Sequence, residues 1–147
     1  MSRDCQSLRL RAFGASMLPS IWPKSQLYLS TQGKDRLSIG DVVSYINQSE
    51  KLVSHRIEKF EETHRGRYIV AKGDSQTVGE RISPCAVAFV VERVEHPWFS
   101  YSMKGPLGRF MTYCAVEHEF AWRLLGKSMR IGLNQLAQAR SLLRRFR

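Results

Sequence analysis

No apolar run in the 147 residues exceeds the seven of Cys85-Ala-Val-Ala-Phe-Val-Val91. A helix that crosses a bilayer needs about twenty, so no membrane-spanning helix is expected. The N-terminus, Met1-Ser-Arg-Asp-Cys-Gln-Ser-Leu-Arg9, lacks the apolar stretch and small-residue cleavage site of a secretory leader. Cysteine is scarce: Cys5, Cys85 and Cys114 are far apart and odd in number, which argues against a disulfide framework and for reduced thiols. The expected location is therefore the cytoplasm. Metal-binding signatures are also missing. His55, His64, His96 and His118 show neither zinc-protease spacing nor a Cys-x-x-Cys partner, so neither metal nor cofactor is expected.

Negative charge is in short supply as well. There are 13 Asp and Glu against 23 Lys and Arg, a net charge of +10. The imbalance is concentrated late in the chain, where residues 101–147 hold nine basic and two acidic side chains. Such a surface suits a polyanionic partner, an anionic membrane or nucleic acid, although it also serves solubility alone. In the arginine-bearing stretch from about Leu133 onward Phe146 stands alone as an aromatic, too few for successive bases to stack on, so nucleic acid is not the expected partner. At 43% hydrophobic, the chain has the apolar content for one domain with a core, which a disordered chain lacks.

The first hundred residues read as short strands separated by turns. Alternation at Leu8 to Phe13, the stretches Gln26–Thr31 and Asp41–Ile46, the alternating Lys51–Phe60, Arg67–Ala71 and the apolar Ala86–Val94 predict a mainly β domain over residues 1–105. After Gly105-Pro106 the pattern turns helical, and residues 106–147 read as a basic helical segment. Leu107, Met111, Cys114, Ala121 and Leu125 form one stripe. Gly126-Lys-Ser128 predicts a break, and a second helix is expected from about Leu133. In it Leu136, Ala139, Leu142, Leu143 and Phe146 gather on one side, with Arg140, Arg144, Arg145 and Arg147 around the rest. Two readings of this helix stand: packing on the β domain with arginines in solvent, or in-plane attachment to a membrane. Trp98-Phe99 and Tyr101 are read as packing residues, with contact to a bilayer beside that helix as the other reading.

Several residues could carry chemistry. Phe13-Gly-Ala-Ser-Met-Leu-Pro19 sets Ser16 among small residues where another backbone could approach. His55 lies in a strand between Ser54 and Arg56, Lys72-Gly-Asp-Ser75 ends a strand in a turn, and Glu80-Arg81 follows. Each has a plain structural explanation: a turn serine, a packed histidine, turn chemistry and a surface ion pair. A serine nucleophile needs a base, and the base needs an acidic orienter. Ser, His and two acids occur here in that order.

Taken together, Gly14-Ala-Ser-Met-Leu-Pro19, Ile39-Gly-Asp-Val-Val43, Val53-Ser-His-Arg-Ile57, Lys72-Gly-Asp-Ser75 and Glu80-Arg81 resemble the signal peptidase I superfamily over about residues 10–95. Where the bacterial branch carries a lysine base, this chain has His55, which makes it similar to the archaeal and endoplasmic-reticulum branch. The resemblance implies a signal-peptidase-like β-rich catalytic domain with Ser16 as nucleophile and His55 as general base. Glu80 would orient His55, with Asp74 shaping the site or taking the orienting role itself. Gly14, Ala15 and Met17 are the expected substrate contacts. Some positions depart from the family pattern. Lys24-Ser25 stands where Gly-Asp is usual, Gly14 stands where the bacterial branch has an oxyanion-binding serine, Glu80 replaces an Asp, and the transmembrane anchor is missing.

The resulting expectation is a serine endopeptidase that cleaves an extended peptide after small residues, attached if at all to the inner face of a membrane through its basic helix. The alternative is a catalytically inactive peptide-binding module tethered by that helix. Self-cleaving repressors of the same superfamily fit less well, since about a dozen residues precede the Ser16 motif.

Overall fold

β-branched and alternating stretches pair into one curled antiparallel sheet. A computed structural model describes residues 7–145, with strands β1 (Ser7–Arg11), β2 (Gln26–Ser30), β3 (Val42–Ile46), β4 (Leu52–Thr63), β5 (Gly66–Lys72), β6 (Glu80–Ile82), β7 (Val87–His96) and β8 (Phe99–Ser102). Helices α1 (Pro106–Glu117) and α2 (Glu119–Arg145) follow. The sheet runs β1-β2-β7-β3-β4-β5-β6, with β8 added to the far end of β7. The molecule is thus mainly β with a helical C-terminal segment. The short β6 and β8 are additions to the strands read from sequence. Each becomes a strand by pairing with a longer neighbour, β5 or β7.

The sheet is covered on both faces, and the strands feed two apolar clusters. Val42 and Val91 join Met17, Ile21, Leu27, Leu29, Val94 and Tyr101 in one. Their chain neighbours Val43 and Val90 join Tyr45, Ile57, Ile69, Ala71 and Val87 in the other. Successive side chains of a strand point to opposite faces, so β7 opens with the continuous apolar run Val87–Val91 because it serves both clusters. This alternation also decides which candidate residues meet.

Two sequence expectations about the helices are corrected. The break falls at His118, between α1 and α2, and α2 runs unbroken through Gly126. Gly126 is where α2 crosses the loop after Ser16. A Cβ there would stand 2.3 Å from the Leu18 carbonyl oxygen and 3.1 Å from Ser75 Cβ. The glycine therefore serves a close approach, not a helix stop. The expected stripe is buried only in part. Met111 packs against the first cluster, Cys114 is half-buried, and Leu107, Ala121 and Leu125 are exposed. Phe120, Leu124, Ile131 and Leu136 also face outward. The side chains of Ala139, Leu142, Leu143, Arg144 and Arg145, and all of Phe146 and Arg147, lie outside the described residues, as does Cys5, so the expected basic face is described only at Arg140.

Tyr101 is a core residue whose hydroxyl donates to the Ser20 carbonyl. Trp22, His96, Trp98 and Phe99 form an aromatic cluster in which Trp98 remains 80% exposed.

Candidate active site

His55 is the natural starting point. In the antiparallel pairing of β3 with β4, Val43 faces His55 and Tyr45 faces Val53. Directly paired residues share a face, and so do residues two apart on one strand. Tyr45 and His55 therefore lie on the same face. Across the other edge Ile57 pairs with Ala71, and Ala71 with Glu80, which brings Glu80 to that face as well. The side chains meet accordingly. The Tyr45 hydroxyl donates to Glu80 Oε2 at 2.6 Å and lies 3.0 Å from His55 Nδ1. With its proton committed to the carboxylate, the Tyr45 oxygen is left to accept, so His55 carries its hydrogen on Nδ1. The Nε2 lone pair is then available, as a general base requires. Among the described residues Nε2 has no hydrogen-bond partner.

Asp74 goes to the opposite face. Arg56 pairs with Lys72, and Arg56 donates from Nε and Nη2 to the two Asp74 oxygens at 2.9 and 3.0 Å. Ser20 also donates to Asp74. Arg56 additionally reaches the Gly40 carbonyl and Thr112 of α1. Asp74 is thus engaged by Arg56 and Ser20 and does not bond His55. Glu80 touches His55 only through Tyr45. Arg81 pairs with Glu61 and not with its neighbour Glu80, so the expected Glu80-Arg81 surface pair is not what these residues form. Lys72 ties the same region to α2, holding Glu58 at 2.8 Å and Glu119 at 2.6 Å.

Ser16 is brought to this region by Gly73. The last β4–β5 pair is Arg56 with Lys72, and continuing that register by one residue sets Gly73 level with His55. A Cβ on Gly73 would sit 2.7 Å from the Ser16 carbonyl oxygen and 2.9 Å from Ser16 Cβ. Ser16 therefore occupies the space a side chain would take there, and any larger residue would displace it. Ser75 pins the same turn: its backbone N–H donates to the Ser16 carbonyl at 2.9 Å, and its hydroxyl lies 3.0 Å from the carbonyls of Ala15 and Ser16. No hydrogen bond joins Ser16 Oγ to His55 among the described residues. In unliganded enzymes such bonds are often long and tighten with substrate.

The expected substrate contacts divide. Gly14 is exposed with open space where a Cβ would be, at an ordinary φ, and Ala15 is half-buried. Met17 is 4% exposed and packs in the first core cluster, because the turn that holds Ser16 points the next side chain inward. Tyr45 and Gly73 were not singled out as site residues in the sequence. Lys72-Gly-Asp-Ser75 marked the place of Gly73, but a strand tyrosine such as Tyr45 reads as core. Among the described residues, no three His, Cys, Asp or Glu gather as metal ligands, and no helix is long and apolar enough to cross a membrane.

Burial lowers the His55 pKa from the usual imidazole value, opposed by the charges of Glu80 and then Asp74. The neutral imidazole is thereby favoured in mild acid. Were His55 the base of a reaction, the acid limb of that reaction's kcat/KM would lie below about pH 6.5, the ordinary imidazole value. A limb at or above that value in the pH–rate profile would contradict this placement. The same group contributes stability that is complete above about 6.5 and lost as pH falls through its lowered folded value.

The chain matches no protein-family model, and neither a curated protein nor a solved structure is significantly similar to it.

Proposed function

We propose that the protein is a serine endopeptidase of the kind the signal peptidase I superfamily represents. The observation that carries this reading is the arrangement about Gly73, where Ser16 is set beside the position opposite a histidine whose free nitrogen is Nε2. Ser16 Oγ attacks the scissile carbonyl and gives its proton to His55 Nε2. His55 then returns the proton to the leaving amine, and water hydrolyses the acyl-enzyme. The Ser16 N–H has no acceptor among the described residues, which leaves it available to the oxyanion in place of the missing side-chain donor at Gly14.

An extended substrate has a place to lie. β4 pairs with β5 only from Arg56 onward, while Leu52–His55 pair with β3 alone among the described residues. The open edge leads directly to His55, and a peptide added there as a strand would gain main-chain hydrogen bonds. Lys24 gives further support. It holds φ at 71°, a left-handed conformation that favours glycine, at the position where the family pattern carries glycine.

The C-terminal segment supports attachment to an anionic membrane surface. Phe120, Leu124 and Ile131, spaced by four and seven, share an exposed stripe of α2, on the part of the chain that holds most of the net positive charge.

The test is a peptide library of mixed sequence incubated with the protein, with and without anionic vesicles, and new termini read by mass spectrometry. Small residues are expected just before the cut, with faster cleavage when vesicles are present. Peptides retained but never cut would favour the inactive binding module.

A further inference from the structure

We propose that Tyr45 is the positioning residue of His55, its phenol standing between the imidazole and Glu80 where a serine peptidase more commonly has a directly bonded acid. This rests on reading His55 as the general base, and it assigns Tyr45 and Glu80 separate tasks.

The geometry makes the phenol a bridge with one direction. Tyr45 is fully buried on β3, and its hydroxyl reaches Glu80 at 2.6 Å and His55 Nδ1 at 3.0 Å. A phenol has one proton to donate. The shorter bond, to a carboxylate, takes it, and the oxygen accepts from Nδ1–H. The Tyr45 and His55 rings meet edge to face with centroids 6.0 Å apart, which limits rotation of the imidazole. Burial, and next the adjacent Glu80, raise the phenol pKa well above its ordinary value, so Tyr45 keeps its proton throughout the cycle.

The roles then separate by step. In the resting site Tyr45 fixes the tautomer that leaves Nε2 bare. During attack the Ser16 proton moves to Nε2, the imidazolium keeps its Nδ1–H on the phenol oxygen, and no proton leaves Tyr45. The Glu80 charge steadies the imidazolium through the polarised phenol. The extra length of glutamate over aspartate suits this arrangement, because the carboxylate has a tyrosine to reach and not a histidine.

The test reads the imidazole directly by nitrogen-15 NMR of the full chain at neutral pH. In the wild type, His55 is expected with Nδ1 protonated and Nε2 bare. Finding the opposite tautomer would overturn the proposal without any substitution. Tyr45→Phe keeps the ring and removes the acceptor, and the Nδ1–H preference is expected to be lost. Its retention would show that the phenol does not set it, and would also overturn the proposal. Glu80→Gln still offers an oxygen to the phenol, so the tautomer is expected to persist while kcat falls. In Tyr45→Phe, kcat is expected to fall between about 10²-fold and about 10⁴-fold with KM little changed. Loss confined to KM would contradict a positioning role. A folded wild type with the expected tautomer that cleaves no peptide would strike the peptidase reading and leave the positioning of His55 standing.

Discussion

Ser16→Ala is expected to reduce peptide cleavage by about 10⁴-fold or more while leaving the melting temperature close to that of the wild type. The size follows from what is removed. Without Oγ no acyl-enzyme forms, and what remains is the contribution of substrate binding and oxyanion donors. The small effect on folding follows from the site. Ser16 is held through its main chain, by Ser75 and by the close approach of Gly73, and its hydroxyl makes no hydrogen bond among the described residues. His55→Ala is expected to cost a similar factor in rate, and the double variant little more than either alone, because nucleophile and base act as a unit. It should also lose some stability, since it leaves the buried Tyr45 hydroxyl short of a partner. Comparing kcat/KM of the three variants with their thermal unfolding separates the two effects. A Ser16→Ala protein that cleaves at even a tenth of the wild-type rate would be incompatible with the mechanism.

The largest loss of stability is expected from Asp74→Ala, at about 3–5 kcal/mol. Asp74 is the only acidic partner of the buried Arg56 guanidinium among the described residues, and it accepts two of its hydrogen bonds. Removing the carboxylate leaves a cation enclosed by Gly40, Ser20 and Thr112, with no carboxylate hydrogen-bonded to it among the described residues. Domains of this size are stable by about 5–15 kcal/mol in total, so the variant should unfold at much lower denaturant concentration. A buried pair is costly to break and much less costly to replace. Arg56→Met combined with Asp74→Leu is therefore expected to recover most of the loss. Denaturant titration of both proteins tests this, and an Asp74→Ala variant within about 1 kcal/mol of wild type would exclude the assigned role. Since Asp74 follows Gly73 directly, its ion pair also fixes the residue against which Ser16 rests.

The strands of the β domain were largely legible because each carries its own signal, a two-residue alternation or a β-branched run, that needs no distant partner. Ser16, His55, Asp74 and Glu80 could be nominated in the same local way. Which acid serves which cation could not, because that depends on register. Lys72 and Asp74 share one parity along the end of β5, and Ala71 and Gly73 share the other. Only the pairings Arg56–Lys72 and Ala71–Glu80 turn those parities into opposite faces of one sheet. Tyr45 was hidden for the same reason, since its relation to His55 appears only once β3 and β4 are set in register. Gly126 misled because a glycine in a helical pattern carries one local meaning, a break, and a second that is visible only with the Leu18 loop packed against it.

The central claim is that Ser16 and His55 form a working catalytic pair, and one measurement addresses it most directly. A single synthetic peptide, taken from the sites cut in the library, is incubated with wild type, Ser16→Ala and His55→Ala, and its intact mass is followed over time. The expected result is one defined cleavage by the wild type and none above background by either variant, with all three proteins folded. Cleavage that survives loss of Ser16 would contradict the account.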